Sequence, residues 1–179
     1  MTLSQQGRLR MEALITLGRL DDAGPWWSRA APVELPPEPE CLLAPPEAPG
    51  GIAVPLMGVL EVRIHPGHLG FGLGDGRRDG VIGSWQRLAD GSDWDPVSLL
   101  VALYAVPPVT YNLDLPGWMP TIQLSAYIRR LPAPGPLRVR LAATDVGGDR
   151  IDQSAQVWDA KDRLIAQSTQ LAAVRVPAA

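Results

Sequence analysis

The sequence is poor in the features that mark several large classes of protein. It has one cysteine, Cys41, so no internal disulfide can form, and a lone thiol provides no metal-ligand spacing. Cys41 also stands in a proline-rich stretch, a poor setting for a catalytic thiolate. Neither sign of charge dominates: 16 Lys and Arg stand against 19 Asp and Glu, for a net charge of −3. That balance argues against non-specific binding of nucleic acid. The opening residues, MTLSQQGRLRMEALITLG, contain no apolar segment of the secretory type. No uninterrupted apolar run is long enough to span a bilayer. A cytoplasmic protein with no membrane contact is therefore expected. There is no internal repeat. What is present is 46% hydrophobic and 20% charged residues over 179 positions, which suits one well-buried core rather than two complete domains.

The chain divides into three parts. In residues 1–20, Leu9, Met11, Ala13, Ile15 and Leu17 alternate with Arg10, Glu12, Leu14 and Thr16. Period two predicts a strand, with a turn at Gln6-Gly7 before it and Gly18 at its end. So small a piece is not stable alone and must add to a sheet in its own subunit or a partner. Residues 21–53 are punctuated by Pro25, Pro32, Pro36, Pro37, Pro39, Pro45, Pro46 and Pro49. Each proline fixes φ and removes a donor, so neither helix nor central strand persists, and an extended linker is expected. Trp26 and Trp27 are expected to pin it onto a surface, because large aromatic rings are costly to leave in water.

Residues 54–179 read as a single α+β domain. Val59–Ile64 and Gly80–Leu88 look like strands, with a glycine-rich loop between them. Asp95 is a natural N-cap and Pro96 suits a first helical position. The following residues, Val97–Val106, are apolar nearly all round, which predicts a helix buried on nearly all sides, stopped by Pro107-Pro108. Four strands follow. In Thr121–Arg130, period two puts Ile122, Leu124, Ala126 and Ile128 on one side and Thr121, Gln123, Ser125 and Tyr127 on the other. Turns at Pro134-Gly135, Gly147-Gly148-Asp149 and Asp159–Asp162 separate Leu137–Leu141, Ile151–Trp158 and Leu164–Val174. These spacings fit an antiparallel meander whose apolar face covers the helix.

Some local patterns suggest sites but fit structural roles better. His65 and His68 flank Pro66-Gly67 without a third ligand, as a turn would. Gly70–Gly76 is glycine-rich but lacks the Lys-Ser/Thr of a phosphate loop. Arg129 and Arg130 could meet phosphates, yet also suit a solvated strand end.

Several segments carry a family resemblance. Trp118-Met119-Pro120-Thr121-Ile122-Gln123-Leu124 resembles the Pro-Thr-x-x-Leu strand of TesB-like acyl-CoA thioesterases. Val157–Ala172 resembles that family's closing hairpin and last strand, Leu103–Pro108 the end of its central helix, and Ser84-Trp85-Gln86-Arg87 a strand before that helix. The resemblance implies the hotdog fold, in which one helix is wrapped by an antiparallel sheet. Members usually carry two hotdogs per chain. The resemblance covers the second, from about Val54 to the end, and residues 1–20 are similar to the last strands of the first. On this reading most of a first domain is lacking and at least a homodimer should form.

The resemblance implies hydrolysis of acyl-CoA thioesters, a place in lipid metabolism, and no cofactor. Such hydrolysis needs a held water, a stabilised oxyanion and an apolar slot for the acyl chain. In the family a Thr and a Gln from the sheet hold the water with an Asp from the helix. The Thr position is Thr121 and the Gln position is Gln170. Aligned on Pro107-Pro108, the Asp position is Tyr104, a residue neutral at pH 7 and a poor base. Asp93, Asp95 and Asp114 are near in sequence but not at the matched place. The helix N-terminus near Asp95 is a further candidate for polarising a carbonyl. Each residue also has a plainer role: Thr121 can satisfy a strand start, Gln170 a polar sheet face, and Tyr104 a core position. Two functions stay open. One is an acyl-CoA thioesterase weakened by Tyr104. The other is a non-catalytic hotdog module that binds acyl-CoA or serves in assembly.

Overall fold

The structure is a computed structural model that describes residues 1–48, 51–69, 78–115 and 117–176. The pattern Gly70–Gly76 lies outside these residues. The strands are β1 (Thr2–Gln5), β2 (Arg8–Glu12), β3 (Leu42–Leu43), β4 (Glu47–Ala48), β5 (Ile52–Ala53), β6 (Leu60–Ile64), β7 (Val81–Leu88), β8 (Thr121–Ile128), β9 (Leu137–Gly147), β10 (Arg150–Trp158) and β11 (Leu164–Ala173). The α-helix described is α1 (Ser98–Ala102). β1–β2 and β4–β5 are separate hairpins, while the other strands form one antiparallel sheet in the order β3-β6-β7-β9-β10-β11-β8.

Alternation builds the inner face of this sheet. Leu60, Val62 and Ile64 of β6, and Leu137, Val139 and Leu141 of β9, are buried while the residues between them are not. They close on Leu99, Ala102 and Leu103 in and after α1. Full burial of a leucine such as Leu99 stabilises the fold by about 1.5–3 kcal/mol.

The helix is shorter and less enclosed than its composition predicts. After Ala102 the backbone tightens to the bond from the Tyr104 N–H to the Val101 carbonyl, and Pro107-Pro108 bars continuation. The sheet covers one side, leaving Val97, Leu100, Val101 and Tyr104 exposed on the other. An all-apolar helix is buried all round only when a second surface covers its far side, and the described residues supply only the sheet.

Strand order departs from a plain meander. β9, β10 and β11 follow one another, but β8 passes to the far edge and pairs with β11, leaving β9 beside β7. The amino-terminal strand is also shorter than expected, ending at Glu12. It pairs with β1 through a turn whose Gln6 and Gly7 both have positive φ (52° and 72°). Two such residues give the twist that a two-residue hairpin needs. Every residue of β1 and β2 is exposed.

Residues 21–41 are pinned, but not by the tryptophans. Trp26 and Trp27 are 101% and 72% exposed, so neither is buried against the described residues. Polar groups hold the segment instead. The Trp85 indole N–H donates to the Pro36 carbonyl at 2.9 Å, and Arg87 grips Glu38 with two bonds of 2.6 and 2.7 Å. Gly83 lies beneath: a Cβ there would sit 2.9 Å from the Leu35 side chain. Cys41 is buried nearby, and burial together with Glu40 pushes its thiol pKa up, which keeps it protonated and inert.

At the β10–β11 turn, Asp159 is buried and accepts from the Arg163 guanidinium at 3.0 and 2.5 Å, and from the Ala133 and Arg163 N–H groups, each at 3.1 Å. Arg163 also donates to the Asp22 and Leu131 carbonyls. One ion pair thus ties the linker, the end of β8 and the last hairpin together.

Candidate active site

The placement of β8 beside β11 brings Thr121 and Gln170 together. Gln170 is buried on the inner face, opposite Leu124. Simple alternation would put Thr121 on the outer face with Gln123. The register prevents this: Leu171 pairs with Gln123, but Ala172 pairs with Thr121. Ile122 is an extra residue, a β-bulge of the kind that re-aims side chains beside active sites. The bulge turns Thr121 inward, where the Gln170 amide N–H donates to its hydroxyl oxygen. The Thr121 hydroxyl in turn donates to the Tyr104 phenol oxygen at 3.3 Å.

Gln153 completes the row. It lies opposite Gln170 on β10, is equally buried, and donates its side-chain N–H to the Gln170 side-chain oxygen. A continuous relay therefore runs Gln153, Gln170, Thr121, Tyr104, from the interior to a phenol that is 40% exposed. The structure unites the three residues singled out from sequence and adds Gln153. The available signal for Gln153 was an amide in the apolar row Ile151, Ala155, Val157 of its strand.

The nearby carboxylates have other work. Asp95 accepts from the N–H groups of Val97 and Ser98 at 2.9 and 2.7 Å, while the Asp95 N–H donates to the Ser98 hydroxyl at 2.8 Å. These reciprocal bonds form a capping box, and the bonds from Ser98 and then Val97 hold the Asp95 carboxyl below its usual pKa. The first amides of α1 thus serve the cap and not a substrate carbonyl, which corrects the expectation for that helix end. Asp93 accepts from the Gly135 N–H at 3.3 Å, and Asp114 pairs with Arg78. Among the described residues, no carboxylate is hydrogen-bonded into the relay.

Other candidates resolve as structure. His65 and His68 sit in and beside a 3-10 turn, with rings 4.4 Å apart, and the Nδ1 of each accepts a backbone N–H at 2.9 Å. Arg129 donates to Gln167 at 3.2 Å and Arg130 to the Leu164 carbonyl at 2.6 Å, so both fasten β8 to β11. A depression of about 460 Å³ is lined by Gln153 and Gln170 of the relay together with Ser125, Thr169, Ser154 and Asp152, and does not reach Thr121 or Tyr104.

Comparison with known proteins supports the family and the fold. Residues 26–174 match the family model for the acyl-CoA thioesterase C-terminal domain. The chain belongs to that family. An uncharacterized protein of Mycobacterium tuberculosis is 34% identical over 196 residues, covering 96% of this chain and 64% of its own length. The same figures hold for an uncharacterized protein of Mycobacterium bovis. This chain thus spans less than two thirds of the curated relatives it matches. Among solved structures, a candidate thioesterase II from Thermobifida fusca superposes with a TM-score of 0.76 at 29% identity, over 98% of this chain and 65% of the other. A hotdog protein of unknown function from Alicyclobacillus acidocaldarius gives 0.75 at 21% identity, over 99% and 66%. The fold is the α+β hotdog. No helix among the described residues is long and apolar enough to cross a membrane.

Proposed function

We propose that this chain hydrolyses acyl-CoA thioesters, with Thr121 and Gln170 orienting the attacking water and Tyr104 donating from the helix side. The observation that carries the reading is the relay, which ends in a hydroxyl pair, Thr121 and Tyr104, at the surface. Donors and acceptors fixed on strands are preorganised, which is what oriented water and a developing oxyanion need. Leu100 and Val101, one turn before Tyr104, and Leu124 on the same face of β8 are exposed and form an apolar flank suited to an acyl chain. No base stronger than a phenol stands in the relay, so turnover is expected to be slow. The test is release of free thiol from acyl-CoAs of varied chain length by the purified chain. Turnover lost in Thr121→Ala and Gln170→Ala supports the reading, and turnover unchanged in both refutes it.

One observation favours a second reading, binding of acyl-CoA without chemistry. Tyr104 stands where the resemblance implies an Asp, and it donates more readily than it removes protons. Tyr104→Asp separates the two. Hydrolysis gained in that variant over an inactive parent indicates a binding site with lost catalysis, whereas turnover already present in the parent supports the enzyme. Assembly as at least a homodimer belongs to both readings. The exposed face of α1 and the free edge of β8 motivate it, and light scattering that finds only monomer at micromolar concentration would count against it.

A further inference from the structure

We infer that Gln153 is a positioning residue of this site, and that the face its amide presents to Gln170 sets the direction in which the relay's hydrogen bonds run. The inference deepens the thioesterase reading and rests on it for its kinetic consequences. A glutamine amide has two faces, one accepting and one donating. Gln170 can therefore offer Thr121 either its oxygen or its NH2, and its other neighbour decides which. That neighbour is Gln153, directly opposite on the adjacent strand, whose side-chain N–H occupies the Gln170 oxygen. The Gln170 NH2 is then turned to the Thr121 oxygen. The Thr121 hydrogen is left for the Tyr104 oxygen at 3.3 Å, and the Tyr104 hydrogen for whatever binds outside. With the Gln153 N–H presented to Gln170, as in the structure, the exposed end of the row is a donor. With an acceptor at the buried end, every bond reverses and Tyr104 points its hydrogen inward.

Gln153 stands at the buried end of the row, away from the exposed hydroxyls of Thr121 and Tyr104. It is 4% exposed and sits on the inner face among Ile151, Ala155 and Val157. Its side-chain oxygen is buried without a partner among the described residues. A buried unsatisfied acceptor costs stability, and an aliphatic side chain would complete that row more stably. An amide kept there at a cost, with its one hydrogen bond aimed at Gln170, fits a role carried out through Gln170.

Two variants of the full chain test this. Gln153→Met keeps the volume and removes the donor. Gln153→Glu replaces the donor by a carboxylate that, when ionised, only accepts. The first measurement is the Gln170 side-chain amide signal in 15N–1H NMR spectra, assigned by its loss in Gln170→Ala. The second is kcat and KM on an acyl-CoA across pH. Both variants are expected to move the Gln170 amide signal and to lower kcat about tenfold, the scale of coupling within one hydrogen-bond network, with KM unchanged. Gln153→Glu is further expected to add a titration limb to the kcat profile that the parent and Gln153→Met lack. A folded Gln153→Met or Gln153→Glu with the Gln170 amide signal unmoved overturns the inference. So does a pH profile of Gln153→Glu that matches the parent's. If the parent hydrolyses no acyl-CoA, the proposed reaction fails, while the amide spectra still decide whether Gln153 orients Gln170.

Discussion

β11 carries a buried polar network at each end, and the two are built differently. At its start, Asp159 and Arg163 form a charged pair in which the carboxylate accepts from the guanidinium and several backbone N–H groups. The guanidinium also donates to the carbonyls of Asp22 and Leu131. Near its end, Gln170 belongs to a neutral relay with the Gln153 oxygen unpartnered among the described residues inside and a phenol facing out. The first network is closed, and its chemistry is spent on holding three segments together. The second is open at the surface and retains capacity to meet a ligand. Burial and hydrogen bonding alone do not mark a functional site; the two networks differ in that only the second keeps bonding capacity at the surface.

The largest effect should come from breaking the closed network. Asp159→Ala leaves a largely buried guanidinium without its carboxylate and is expected to cost about 3 kcal/mol in urea denaturation; a loss near zero would show that the pair is dispensable. Its pH dependence follows in sign. Burial raises the Asp159 carboxyl pKa, but the Arg163 side chain, the Ala133 and Arg163 N–H groups and the guanidinium charge outweigh burial and hold it below the usual value. Its contribution is therefore complete above the unfolded carboxylate pKa, about 3.9, and is lost as pH falls through the lower folded value. Melting temperatures measured from pH 7 down to pH 2 should fall less steeply in Asp159→Asn than in the parent.

Opening the other network should act on activity. Gln170→Ala removes an oriented donor and is expected to lower kcat on acyl-CoA about a hundredfold, without the stability loss of Asp159→Ala. Comparable destabilisation in both variants would erase the distinction between the networks. A smaller effect is expected at the linker. Trp85→Phe removes the bond to Pro36 and should cost about 0.5–1.5 kcal/mol, with faster proteolytic cleavage within residues 21–41. The smallest effect is expected at the amino-terminal segment. Leu14 is 98% and Leu17 89% exposed, so Leu14→Ser and Leu17→Ser should change stability by at most about 0.5 kcal/mol. A larger drop would reveal that another surface covers them in solution.

Much of the fold was legible because it depends on local pattern. Leu137, Val139 and Leu141 alternate with arginines, and Asp95-Pro96 opens the helix, since period and capping act over a few residues. What was not legible depends on contact between distant segments. Nothing in Trp26-Trp27 tells whether a surface is in reach, and the structure leaves both in solvent. Alternation in β8 put Thr121 on the wrong face, because a single extra residue, Ile122, inverts the phase and is visible only against β11.

The sequence by itself determined that strands would form, where they would turn, and which residue types stand at the positions a thioesterase of this kind would use. Only the tertiary structure decided that these positions are hydrogen-bonded into one row. A strand's period reports which of its residues share a face, but strand order and register are set by long-range pairing, and that pairing places β8 on β11 rather than on β9. Gln153 shows the difference most sharply. In the sequence it is a polar residue in an apolar row, and beside Gln170 it becomes the buried donor from which the whole relay takes its direction.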